Sequence, residues 1–445
     1  SLGQFGQALE YYEQALTLHR ETENWFSEAA TLNNIGFLYD RQGRRDQALD
    51  YYQQALVIRQ EKGYRASEGE TLTSIGGAYE RLDQFELALE YFQRGLEIHR
   101  EVGNLSAEAS TLRSIGLVHS RQGNPARALP FLEAALENYE ILDLPRDQAV
   151  VLSYLSVVYS ALGNDSQAID QLFLALEIYQ AQDDPQGKAE ILKQLGNSFM
   201  QLAESQAQSG QYVEAIESYE QALSFHQELG DAEAEAFALN SIGFSYARLG
   251  NFEQAFGYHQ LAFDIAQNLE NLDLIETTLV LLGGANVGLG DYEEALTKFQ
   301  QALGLNTQTE DVQSRGSALR GLGLIYAKQG DHQAALNYYQ EALTIYELTE
   351  RLSEQGELLI LRAESYAFLG NYSSSFVSLD RALEIHQSTG NRHSKAATLA
   401  SFGLLYARLG QHQQALDYYS QALTIQEEIN DLRGQGSSLN LIAGA

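Results

Sequence analysis

The sequence predicts an all-α array of tandem antiparallel helix pairs. Three observations carry that expectation: a forty-residue internal period, small residues at fixed places in it, and four prolines in 445 residues. Period takes precedence over length as a guide to organisation, since a chain of this size would otherwise suggest several globular domains. The opening stretch GQFGQALEYYEQALTLHRE at 3–21 returns forty residues later as GRRDQALDYYQQALVIRQE at 43–61.

Aligned on itself, the chain places a small residue at Gly36, Gly76, Gly116, Ser156, Gly196, Gly243, Gly283, Gly323, Ala363 and Gly403. One interval is 47 instead of 40, and the extra seven residues fall near AESQAQS at 203–209. Seven residues add about two helical turns with only ~20° of drift, so a lengthened helix would keep its phase. Alanine marks a second seam at Ala48, Ala88, Ala128 and Ala168, with Ser375 departing from it. A third follows seven residues later at Ala55, Gly95, Ala135 and Ala175.

The first helix of a pair reads like 28–42, where Leu32, Ile35 and Tyr39 form an apolar stripe at three- and four-residue spacing. Gly43 supplies the turn, and the second helix, 45–61, answers with Ala48, Leu49, Tyr52, Ala55, Leu56 and Ile58. Small residues at the crossing let backbones approach while Leu and Tyr fill the space between. Ala48→Leu is expected to overpack the seam at a cost of about 1 to 3 kcal/mol.

Leu32, Ile35, Gly36, Tyr39, Ala48, Tyr52 and Ala55, with their equivalents along the chain, resemble the tetratricopeptide repeat family in a longer, forty-residue form. The longer form is similar to the arrays of kinesin light chains, of G-protein signalling scaffolds and of bacterial regulatory proteins. That resemblance implies a right-handed α-solenoid whose first helices line a concave groove, and it implies no chemistry by itself. Residues 1–445 would form one solenoid of ten to eleven pairs. The chain opens at a turn glycine, Gly3, and closes inside a first helix at 434–445, so continuation on both sides is expected.

Composition narrows the function classes. A net charge of -32 disfavours nucleic acid and anionic membranes, both of which depend on clustered Lys and Arg. With no cysteine there is neither a disulfide framework nor a thiolate metal site. No apolar run approaches the roughly 20 residues of a membrane span, and the start lacks a signal peptide. Cytoplasmic placement is the default expectation.

No catalytic or metal-binding cluster is expected, and no cofactor. None of the nine histidines lies three or four residues from another, which excludes an HExxH zinc site. His19, His99, His226 and His386 share a place near the ends of second helices, where a cation complements the helix dipole. GGANVGLG at 283–290 lacks the lysine of a phosphate loop.

The groove is the candidate site, and its expected ligand is a protein or peptide segment. In the first pair the resemblance places Ala30, Asn33, Asn34, Phe37, Asp40 and Arg41 on the concave side. Arg41, Arg81, Arg121, Arg248, Lys328 and Arg408 share one position, a basic row that either complements helix ends or forms a ladder for an acidic ligand. Arg113, Lys193 and Arg320 add charge one turn earlier. Phe37, Tyr154, Phe237, Phe244 and Phe368 put aromatic rings on the same face, and Asn240 repeats Asn33. Lys193 and Asn197 resemble the start of a chaperone-binding carboxylate clamp, but Thr277 and Leu281 stand where its later cations belong.

Two further readings accompany the scaffold. The array could regulate an attached effector such as a caspase-like CHAT peptidase, or self-associate through uncapped ends. Arg362 stands where an aliphatic residue is buried in other pairs, with Glu364 or Glu357 as its expected partner.

Overall fold

In a computed structural model that describes residues 2–444, the fold is an all-α solenoid of antiparallel helix pairs. Contacts gather the chain into two compact units, residues 1–202 and 203–445, and the division falls within one helix. The first unit holds α1 (Leu2–Glu21), α2 (Trp25–Arg41), α3 (Arg45–Glu61), α4 (Arg65–Glu80) and α5 (Phe85–Glu101). It continues through α6 (Leu105–Arg121), α7 (Pro125–Ile141), α8 (Pro145–Ala161) and α9 (Asp165–Ala181) into α10 (Pro185–Gln208). The second unit begins with α11 (Tyr212–Leu229), α12 (Ala232–Leu249), α13 (Phe252–Asn268), α14 (Leu272–Leu289), α15 (Tyr292–Thr309) and α16 (Val312–Lys328). After these come α17 (His332–Leu348), α18 (Leu352–Phe368), α19 (Tyr372–Ser388), α20 (Arg392–Arg408), α21 (His412–Glu428) and α22 (Leu432–Gly444).

Most helices are 17 or 18 residues long, and α10 reaches 24 because the seven-residue insertion is helical. First helices begin three residues earlier than the apolar stripe suggests, at Trp25 rather than 28. The reason is a cap: the Asn24 side chain accepts from the Ser27 amide at 3.2 Å, and Asn104 does the same for Ala107. Pro125 and Pro145 open α7 and α8, where a missing amide costs nothing.

Every junction between successive helices has the same ending. Each contains one residue in the left-handed region, Gly43 (φ 76°) and Glu350 (φ 56°) among them, and thirteen of these residues are glycine. Turns from a first to a second helix use glycine everywhere except Asp83. Turns from a second helix to the next first helix are less strict, with Glu23, Asp143, Asp183, Glu270, Glu310, Glu350 and Asn430 in the strained conformation.

In most pairs the seam is a ring seated on a glycine, with Leu132 taking the ring's place on Gly116. A methyl group on Gly36 would come within 2.7 Å of the Tyr52 ring, and the same distance separates Gly76 from Phe92, Gly243 from His259 and Gly283 from Phe299. Tyr339 lies on Gly323 and Tyr419 on Gly403 in the same manner. Where the small residue is larger, the ring is gone: Ser156 faces Leu172 in register and Ala363 faces Leu379. At Ser156 the larger small residue and the shorter partner offset one another, as close packing requires. Ala48, Ala88 and Ala255 are fully buried beside these rings.

A second set of polar side chains lies at the ends of second helices, and here the dipole expectation for histidine is corrected. His99, His226 and His386 are buried, and burial pushes their pKa down, so they are neutral packing groups instead of terminal cations. His99 lies against Gly69 and His386 against Gly356, as Tyr346 does against Gly316. Arg59 takes the same place with hydrogen bonds to the Ser67 carbonyl and the Thr71 hydroxyl.

One segment exceeds the sequence expectation for apolar length. Leu272–Leu289 is long and apolar enough, by length and composition alone, to cross a membrane. In the fold it is α14, packed against α13 and α15, and it buries Glu276, which accepts from Asn306 Nδ2 at 2.9 Å.

Candidate functional site: the inner faces of the helix stacks

First helices of successive pairs pack on one another more than second helices do, α2 on α4 and α6 on α8 in the first unit, α12 on α14 and α18 on α20 in the second. The inner side of each stack's curvature is therefore lined by first helices, where the candidate residues were expected.

In the first unit the inner-face cations close onto carboxylates one pair back. Arg81 Nε donates to Asp40 at 3.1 Å, and Arg121 reaches Glu80 at 3.1 Å and Asp83 at 2.7 Å. Asp40, expected at the concave surface, is buried beneath Arg81. Arg113 pairs with Asp147 at 3.5 Å and lies over the Tyr139 ring. Arg41 remains exposed, its guanidinium 5.9 Å from the centre of its own neighbour Phe37.

In the second unit the same position turns to rings. Arg248 donates to the Tyr212 hydroxyl at 3.0 Å and lies over that ring, and Arg408 stacks on Phe368 at 4.0 Å. Phe368 is itself stacked on His332, with ring centres 4.4 Å apart and planes 9° from parallel. Lys328 is exposed, and Arg320 pairs with Glu357 at 2.9 Å. A cation over a ring keeps its full charge, whereas a cation on a carboxylate does not.

The aromatic residues divide. Phe37, Phe237, Phe244 and Phe368 are about half exposed, at 54, 49, 48 and 57%. Phe237 and Phe244 are two turns apart on α12, with Arg248 one turn further along the same stripe. Tyr154 departs from the expectation, because it packs partly buried against the core around Leu132 and Leu155.

Asn240 is also corrected: it is buried, donating to Thr278 Oγ1 at 2.9 Å and facing His259 Nδ1 at 3.1 Å. Asn33, half-buried, accepts from Thr71 at 3.3 Å, again 38 residues along the chain. This position therefore links successive first helices instead of facing outward. Asn34, Lys193 and Asn197 are exposed.

Arg362 pairs with neither expected carboxylate. Its guanidinium donates to the Tyr366 hydroxyl at 3.3 Å and lines a polar cleft with Asn337 and Gln340. Glu364 is open to solvent by area, yet the protein crowded around its carboxyl pushes its pKa up against the pull of Lys328 and Arg408. Sequence periodicity put Lys328 and Arg408 in one row but gave no sign of Glu364 between them, since most pairs carry no carboxylate at its place.

A family model described as tetratricopeptide repeat matches residues 1–61, 67–141, 194–268, 274–347 and 354–428, and a second of that description matches 114–186. No curated protein matches the sequence. Among solved structures, aspartyl phosphate phosphatase F from Bacillus subtilis is 15% identical with a TM-score of 0.50, covering 83% of this chain and 95% of its own. The apo form of the quorum sensor NprR from B. thuringiensis is 14% identical with a TM-score of 0.49, over 83% of this chain and 99% of its own. A putative kinesin light chain from Podosopora anserina is 19% identical with a TM-score of 0.36, over 45% and 98%. The likeness to the phosphatase is one of fold.

Proposed function

The chain belongs to the tetratricopeptide repeat family, and from that premise we propose that it is a non-catalytic scaffold whose inner face binds an acidic peptide segment of a partner protein. The observation that supports this reading most is the stripe Phe237, Phe244 and Arg248 on α12, two half-exposed rings followed by a cation whose partner is uncharged. Rings and arginine dominate binding hot spots, the rings through the area they bury and arginine through its planar fork of donors. Against a net charge of -32, such a stripe selects a ligand that brings carboxylates.

Selection of a displayed random-peptide library on the full chain tests this. Recovered peptides should be rich in Asp, Glu and aromatic residues, and Phe244→Ala or Arg248→Glu should weaken them at least tenfold with helicity unchanged. Peptides indifferent to every inner-face substitution would sink the reading.

A further inference from the structure

Between α18, α19 and α20 lies a cavity of about 230 Å³ on the inner face of the second unit. Its origin can be followed through the repeat. At the place of Leu379 most pairs carry a ring, among them Tyr52, Phe92, Phe299, Tyr339 and Tyr419, and that ring fills the space between its pair and the next. Tyr339, one repeat earlier, reaches far enough to feel the charge of Glu364, and Leu404, the equivalent of Glu364 one repeat later, lines the cavity. The cavity is thus the room of a missing ring. Leu379 is too short to fill it, Ala363 holds it off the opposite helix, and Ser401 above is small.

The interior suits an apolar guest. The Ser375 hydroxyl at the floor already donates to the Ala363 carbonyl at 2.8 Å, so it asks nothing of a ligand. Leu379, Leu404 and Leu405 supply the walls. A cavity of about 150 Å³ lined by such residues accepts benzene, so this one has room for a side-chain ring. The mouth holds two cations to one carboxyl: Arg408 lies over Phe368, which is braced by His332, Lys328 is near, and Glu364 lines the same cavity with its pKa raised by the protein around it.

We propose that this cavity receives the phenylalanine or tyrosine ring of a partner peptide, with an acidic residue of that peptide on Arg408. This rests on the inner face being the peptide-binding wall, and it adds where the anchor goes.

The probe is N-acetyl-phenylalanine, titrated into the full chain with leucine methyls observed by NMR. Saturable shifts are expected at Leu379, Leu404 and Leu405, severalfold weaker for N-acetyl-phenylalaninamide, which lacks the carboxylate, and none for N-acetylglycine. Leu379→Phe, made together with Ala363→Gly so that the ring has the glycine it sits on in other pairs, should abolish the shifts. Should that variant not fold, Ser401→Leu serves instead, since leucine stands at the equivalent Leu281 and Leu361. Shifts that survive either variant, or that map elsewhere, overturn the assignment. Selected peptides that respond to Phe244→Ala but not to Leu379→Phe with Ala363→Gly would overturn the cavity and leave the scaffold reading standing. A ring that binds the cavity while no peptide is ever selected would overturn that reading, and the peptide occupant with it.

Discussion

The inner faces of the two units solve one problem differently. In the first, Arg81 and Arg121 are spent on Asp40, Glu80 and Asp83, so the row ties one first helix to the next. In the second, Arg248 and Arg408 rest on Tyr212 and Phe368, and their charge stays available. Apart from Arg41, which is exposed beside Phe37, this position is structural in the first unit and open to a ligand in the second. The carboxylate one pair back, not the arginine itself, decides which.

The seams differ too, and the largest expected effect lies there. His259 occupies the ring position that Phe92 fills in the first unit, and burial lowers its pKa to about 4. Folded, it is neutral; unfolded, its imidazole takes a proton below about pH 6.5. Its stabilising contribution is thus whole above 6.5 and declines as pH falls towards 4, by about 3 kcal/mol in all. Glu276 and Glu364, both raised, act in the opposite sense, so the useful quantity is the difference between parent and His259→Phe. Acid unfolding of the two should diverge below pH 6.5; parallel curves would refute a neutral buried imidazole.

Next in size is the test of the row itself. Arg81→Leu strands the buried, hydrogen-bonded Asp40 carboxylate and should cost about 1 to 2 kcal/mol, while Arg408→Leu breaks no ion pair, leaves Lys328 beside Glu364 and should cost under ~1 kcal/mol. Equal losses in denaturant unfolding would erase the distinction between the units. Gly76→Ala forces a methyl towards the Phe92 ring and should cost about 1 to 3 kcal/mol; an unchanged midpoint would contradict the ring-on-glycine seam. The smallest effect belongs to the turns. Glu350→Gly relieves a left-handed glutamate and should add roughly 0.5 to 1 kcal/mol, read as slower amide exchange at the ends of α17 and α18.

Much of this was legible beforehand. Helix pairing, the helical insertion and the seam alanines follow from period, because burial repeats wherever the sequence does. The inner face was legible only in part. Asn33 and Asn240 read as surface positions, yet each points at a hydroxyl 38 residues on, a contact made between pairs and hidden within any one of them. Tyr154 and Asp40 were misplaced for the same reason. Periodicity also obscured the cavity at Leu379, since a missing ring shows only beside the rings that replace it elsewhere, and it concealed which arginines find a carboxylate.

The uniform junctions carry a consequence for how such a chain can change. Each helix hands over to the next through a short corner with one left-handed residue, these residues standing twenty apart except at the one insertion. A cassette cut at any two corners therefore has matching ends. Whole pairs can be duplicated, lost or exchanged by recombination without a new joint having to be invented, so the array's length and its ligand-facing residues are free to vary independently.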